Sequence, residues 1–274
     1  KQLWFQSSYI PVFGKGGALD HVVVFNSCIT EEKNKNADYE GQLNAINNIM
    51  GVIEFDLKGN VTNVNDNFAA ATGYSAQEII GNHHSMFVET AYKNSAEYKA
   101  FWNKLNRGET DVGQYKRIGK GGKEVWLQAS YSPILDRDGN ATRVVKYATD
   151  ITVQKVTAAD NAGQLEAIDK FQGVIEFDLK GNITNVNDNF AAVTGYSKSE
   201  IVGNHHSMFV DAAYKNSTEY KAFWDQLGRG EANAGEFKRI AKGGKEVWLQ
   251  ARYSPILDMD GNATRVVKYA SDIT

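Results

Sequence analysis

One cysteine, Cys28, stands in the whole 274-residue chain. A single thiol closes no internal disulfide and builds no cysteine metal cluster, and it fits a reducing compartment. No apolar run approaches the roughly 18 residues of a membrane span, and no secretion leader opens the chain. Lysine and arginine number 30 against 33 acidic residues, a net charge of −3, so no basic footprint points to nucleic acid or to a lipid surface. A cytoplasmic location is expected, with no nucleic-acid partner and no membrane contact over this stretch; an anchor outside it stays open. The turn Gly119-Lys-Gly-Gly122 lacks the spacing and the following helix of a phosphate loop. No Ser/His/Asp set or carboxylate pair converges, so enzyme activity is not expected.

What the chain does have is a repeat. Residues 51–152 align without a gap on 173–274, an offset of 122, and 82 of the 102 positions are identical. Trp4, Trp126 and Trp248 keep the same offset, as do Tyr9, Tyr131 and Tyr253, and Thr30, Thr152 and Thr274. Residues 1–30 therefore read as the end of an earlier copy, with 11 identities in 30 to residues 123–152. A lone hairpin is marginal in water, so this piece is expected to pair with another sheet edge, in a partner chain for example, or to be poorly ordered.

Within one repeat, Ile53, Phe55 and Leu57 alternate with Glu54 and Asp56, the pattern of a half-buried strand. Lys58-Gly-Asn60 turns the chain into a second strand over 61–64. Asn65-Asp-Asn67 caps a short helix stopped by Gly73, and Ser75 with Glu78 forms a capping box, repeated as Ser197 with Glu200. Tyr98, Phe101, Trp102 and Leu105 make one apolar stripe on a longer helix. Three strands follow, over 113–118, 124–135 and 141–152, the last with Val145, Tyr147 and Thr149 on one face. Two strands, a group of helices and three strands indicate an α+β fold: a five-stranded antiparallel sheet with helices on one face. The expected division is a strand remnant at 1–30, a helical linker at 31–48, a domain at 49–152, a helical linker at 153–170 and a domain at 171–274.

Several of these words together resemble the PAS domain family of bacterial sensors: Gly-Asn-Val-Thr-Asn-Val-Asn at 59–65, Thr-Gly-Tyr-Ser at 72–75, Glu-Ile-Ile-Gly at 78–81, Lys-Gly-Gly-Lys-Glu-Val-Trp at 120–126, and Asp150-Ile-Thr152. The variant with His-His-Ser-Met-Phe at 83–87 and Phe101-Trp102 is similar to the PAS domains of methyl-accepting chemotaxis receptors and aerotaxis-like transducers. The resemblance implies tandem sensor domains that pass pocket occupancy or redox state through the last strand to an output helix, with Asp150 and Asp272 coupling strand to helix. It also implies homodimers, through the linker helices or the domain faces, and a signalling output domain that is not in this chain. The alternative is a structural pair of ligand-free PAS modules that dimerise and set spacing.

The candidate cofactor contacts are His83, His84 and Trp102, with His205, His206 and Trp224 in the second repeat. Adjacent histidines diverge and no Cys, Asp or Glu completes a ligand set, so no metal site is expected. Haem b is one candidate, although the doublet lies before the helix position where PAS haem ligands are found. FAD is the other, although Val88-Glu-Thr-Ala91 replaces the basic segment that flavin-binding relatives carry. The bland alternative is no cofactor, with histidines that hydrogen-bond around a turn and tryptophans that fill the core.

Overall fold

Alternation decides which side chains each strand buries, and the computed structural model describes residues 2–274. The chain divides into two compact units, one ending at Val156 and the other beginning at Thr157.

In the first unit a hairpin of β1 (Phe5–Phe13) and β2 (Leu19–Cys28) leads into α1 (Thr30–Ile49). Then come β3 (Gly51–Phe55), β4 (Val61–Val64), α2 (Asp66–Thr72), α3 (Ala76–Ile79), a 3-10 turn at His84–Phe87, α4 (Thr90–Lys93) and α5 (Ala96–Asn106). Three long strands close the domain: β5 (Asp111–Ile118), β6 (Glu124–Leu135) and β7 (Ala141–Asp150). They form one antiparallel five-stranded sheet in the order β4-β3-β7-β6-β5. Helix α6 (Thr152–Phe171) follows, and the second domain repeats the plan with β8 (Gly173–Phe177), β9 (Ile183–Val186), β10 (Asn233–Ile240), β11 (Glu246–Leu257) and β12 (Ala263–Asp272). Its sheet order is β10-β11-β12-β8-β9.

The local devices form as their chemistry requires. Asn65 caps α2 by accepting from the Phe68 N–H, Gly73 ends that helix with φ 76°, and the Ser75–Glu78 box is closed. The stripe of α5 buries Tyr98, Phe101, Trp102 and Leu105 against the sheet. One reading needs correction. The first strand ends at Phe55, because Asp56 turns inward to accept from the Lys58 and Asn60 N–H groups. On β7 the face turned to the main core carries Val144, Lys146 and Ala148, while Val145 and Tyr147 lie on the opposite face. Both faces of that strand carry apolar residues, so alternation did not say which one packs under α5.

The hairpin β1–β2 pairs only with itself among the described residues, and Tyr9, Ile10, Phe13, Val24 and Phe25 are exposed. Helices α1 and α6 bury no residue. Asn65 and Asn67 nevertheless hold the end of α1 to its domain, donating from their side-chain amides to the Asn47 and Met50 carbonyls at 2.8–3.3 Å. No helix among the described residues is long and apolar enough to cross a membrane.

Gly59 shows how tightly the β3–β4 turn is held. Its φ is +87°, and a Cβ there would lie 2.7 Å from His83 Nε2 and 2.9 Å from Trp102. Gly59→Ala is expected to cost more than the roughly 1–2 kcal/mol of a left-handed residue, read as a lower melting temperature. Gly41→Ala, in open space on α1, is expected to raise stability slightly. Equal melting curves for the two variants would refute this packing.

Candidate functional site

The 3-10 turn sends its two histidines in different directions. His83 caps the turn: Nδ1 accepts from the Ser85 N–H at 3.1 Å and Nε2 donates to the Lys58 carbonyl at 2.9 Å. His84 points inward and is 1% exposed. Its Nδ1 lies 2.8 Å from the Tyr98 hydroxyl on α5, and its Nε2 lies 3.0 Å from the Tyr131 hydroxyl on β6. Arg117 on β5 donates to that same Tyr131 oxygen at 3.0 Å. Each hydroxyl has one proton to give. One nitrogen of the neutral imidazole donates to one of these hydroxyls and the other nitrogen accepts from the second.

Aromatic rings close around this chain. Phe55, Trp102, Tyr131 and Tyr98 have centroids 5.4–5.7 Å from the His84 ring. Phe101 meets Tyr131 edge-on at 4.9 Å. Lys146 joins from β7, 1% exposed, with Nζ 4.8 Å from the Tyr131 ring centroid and 5.0 Å from that of Phe68. Two buried donors, Trp102 Nε1 and Arg117 Nε, have no acceptor. The second domain copies the arrangement: His206 lies 2.8 Å from the Tyr220 hydroxyl and 3.0 Å from that of Tyr253, which accepts from Arg239 at 2.9 Å. His205 caps its turn as His83 does.

Burial holds the His84 imidazole well below the ordinary value of 6.5, with the charges of Arg117, Lys146 and His83 acting in the same direction. It is neutral in the folded protein, and its contribution to stability is lost as pH falls through the ordinary histidine range. Burial also pushes the Tyr98 hydroxyl up to about 12.

Both nitrogens of His84 and both of His83 already have partners, and rings occupy the space beside His84. Trp102 is a wall of the core, as is its counterpart Trp224, both edge-on to a phenylalanine. Among the described residues no three His, Cys, Asp or Glu side chains gather as a metal site would require.

Asp150 sits at the output end. Its Oδ1 accepts from the Thr152 N–H at 2.8 Å and from the Thr152 hydroxyl. Thr152 Oγ1 accepts from the Trp126 N–H at 2.9 Å, the Ile151 N–H donates to the Trp126 carbonyl at 2.8 Å, and Lys155 lies over the Trp126 ring. Asp272, Thr274 and Trp248 repeat the clamp, and so do Thr30 and Trp4, with the Cys28 thiol donating to Thr30 Oγ1 at 3.4 Å in place of the aspartate. Sequence reasoning missed Arg117, Tyr131 and Lys146 as site residues. The available signals were the constant offset of Tyr131 and Tyr253 and a lysine alternating with core-facing Val144 and Ala148.

Burial, reinforced by the Arg117 charge, holds the Lys146 ammonium well below the usual 10.5. A base that keeps its proton less well when folded makes stability rise with pH up to its ordinary range and fall as pH drops below it. Lys146→Met is expected to raise stability at neutral pH by roughly 1–4 kcal/mol, as apolar replacement of buried ions does, and to flatten the rise toward alkaline pH. Urea unfolding at several pH values checks this; an unchanged slope would contradict it.

Among known proteins, the PAS fold family matches residues 61–148 and 183–270. The biofilm dispersion protein BdlA of Pseudomonas aeruginosa is 40% identical over 230 residues, which is 84% of this chain and 55% of BdlA. The aerotaxis receptor of Escherichia coli is 30% identical over 105 residues, 38% of this chain and 20% of the receptor. A solved PAS domain from Colwellia psychrerythraea covers 41% of this chain and 96% of its own, at 21% identity and a TM-score of 0.38. The chain thus spans little more than half of BdlA and a fifth of the receptor. The two matched segments begin at β4 and β9, end within β7 and β12 and contain the caged histidines, and the chain belongs to the PAS fold family, with two of its sensory domains in series.

Proposed function

We propose that the chain is the sensing and transmission part of a chemoreceptor-like protein, in which the state of each buried core is passed to the helix that follows its sheet. One observation carries this. Tyr131, the hub of the core network, and Trp126, the anchor of the output helix, lie on the same strand, β6, and its partner β7 carries Lys146 and Asp150. A shift of β6 relative to α5 changes both ends together. A signal moves this equilibrium only by binding the two states differently. The likeness to BdlA and to the aerotaxis receptor supports a bacterial signalling setting. The closed aromatic cage supports domains that work without haem or flavin.

The expected test result is coupling. Tyr131→Phe breaks the Arg117 and His84 bonds and leaves the Trp126 clamp untouched. In this variant, amide exchange at Trp126, Ile151 and the first turn of α6 is expected to speed up about fivefold, equivalent to about 1 kcal/mol, one net hydrogen bond. The purified chain is expected to be colourless. Unchanged exchange at those amides would remove the transmission reading and leave a spacer pair of PAS modules; a Soret or flavin band would show that the cage opens for a cofactor.

The linker helices support homodimers. Leu43 and Ile46 on α1, and Leu165 and Ile168 on α6, are exposed at a three-residue spacing that makes a thin seam. Sedimentation of Leu43→Glu/Leu165→Glu beside the unmodified chain is expected to show a shift from dimer to monomer; identical profiles would exclude the seam.

A further inference from the structure

The hairpin β1–β2 copies β6–β7 pair for pair. Tyr9 faces Val24 as Tyr131 faces Lys146, and Phe5 faces Cys28 as Leu127 faces Asp150. Both hairpins shift register at the same step, between Val12 and Phe13 and between Ile134 and Leu135. Each of these positions lies 122 residues from its counterpart. The face that β6 and β7 turn to α5 carries Leu127, Tyr131 and Val144, at 1% exposure or less. On β1–β2 the same places hold Phe5, Tyr9 and Val22, 45–69% exposed. The polar members of this face, Ser7 and Asn26, bond to each other across the strands at 2.6 Å. What remains is an apolar face with an unpaired strand edge on either side, a combination that recruits another segment of chain.

Both complete domains show what belongs there. In the first, β5 pairs along the free side of β6, β3 pairs along the free side of β7, and the stripe of α5 covers the face. A second copy of this chain has no such helix to lend. The stripes of α5 and of the matching helix at Thr218–Gly228 are already buried in their own domains.

We propose that β1 and β2 close a further PAS domain, and that its front part, equivalent to residues 51–122, is carried by the protein ahead of Lys1 and docks on this hairpin. Val24 stands where both complete domains bury a lysine, Lys146 and Lys268. The completed core therefore keeps the central tyrosine and has no ammonium on its closing strand. The inference does not depend on a signal passing through the cores.

Amide exchange tests it on two proteins: the chain as it stands, and the chain lengthened ahead of Lys1 by the preceding stretch of the parent protein, 72 residues where it matches 51–122. In the chain as it stands, the outward amides of β1 and β2 are expected to exchange equally fast at low and high protein concentration. In the lengthened chain they are expected to slow about tenfold or more, as each gains a hydrogen bond inside a sheet. Tyr9→Glu is expected to abolish that slowing. In the chain as it stands the same variant leaves the pairs within the hairpin unchanged, because Tyr9 is exposed there. Ser8→Arg lies on the outer face, where the second domain itself carries Arg252, and is expected to keep the slowing. Slowing that sets in with concentration in the chain as it stands would give the face to a second copy and overturn the proposal. So would outward amides that stay fast in the lengthened chain, or equal effects of Tyr9→Glu and Ser8→Arg.

Discussion

Each domain depends on a chain of hydrogen bonds from Arg117 through Tyr131 to His84 and Tyr98, buried within a ring of aromatic side chains. These four residues come from β5, β6, the 3-10 turn and α5, so one network fixes the helical layer on the sheet. In a low-dielectric interior such bonds are strong, and leaving any member unpaired is expensive. The aromatic cage supplies the low dielectric, and the network gives the cage a single arrangement. The cage also leaves both ring nitrogens of His84 hydrogen-bonded to tyrosine hydroxyls, and both of His83 to main-chain groups.

Two clamps of different chemistry connect this core to the helices. Asn65 and Asn67 tie the end of the incoming helix to α2 through side-chain amides. Trp126 and Thr152 tie the start of the outgoing helix to β6 through one backbone and one side-chain bond. Neither linker helix buries a residue of its own, so these polar clamps, and not apolar packing, connect helix and domain. Such contacts cost little to rearrange, a property suited to a joint that must move.

Much of this was legible in the sequence. The fold class, the capping devices at Asn65 and Ser75, the stripe on α5 and both helical linkers are local or periodic features, and the structure contains them. The 122-residue offset separated the two domains because the copies have barely diverged. The core chemistry was hidden for physical reasons. Tyr131 lies 47 residues from His84 in sequence, and nothing local pairs them. Lys146 sits on a strand whose two faces are both apolar, so period two did not reveal that a lysine points into the core. Arg117 looked like one more surface charge on an edge strand. The divergence of the His83 and His84 side chains followed from their adjacency, but their partners, Lys58, Tyr98 and Tyr131, lie far off in sequence.

The claim that a neutral, doubly hydrogen-bonded imidazole organises each core can be tested directly by nitrogen-15 NMR of the histidine side chains across the acidic range. The account requires His84 and His206 to stay neutral, with both nitrogens hydrogen-bonded, from mildly alkaline pH down to the onset of acid unfolding. Titration of either ring near the ordinary histidine value of 6.5 in the folded protein would contradict it.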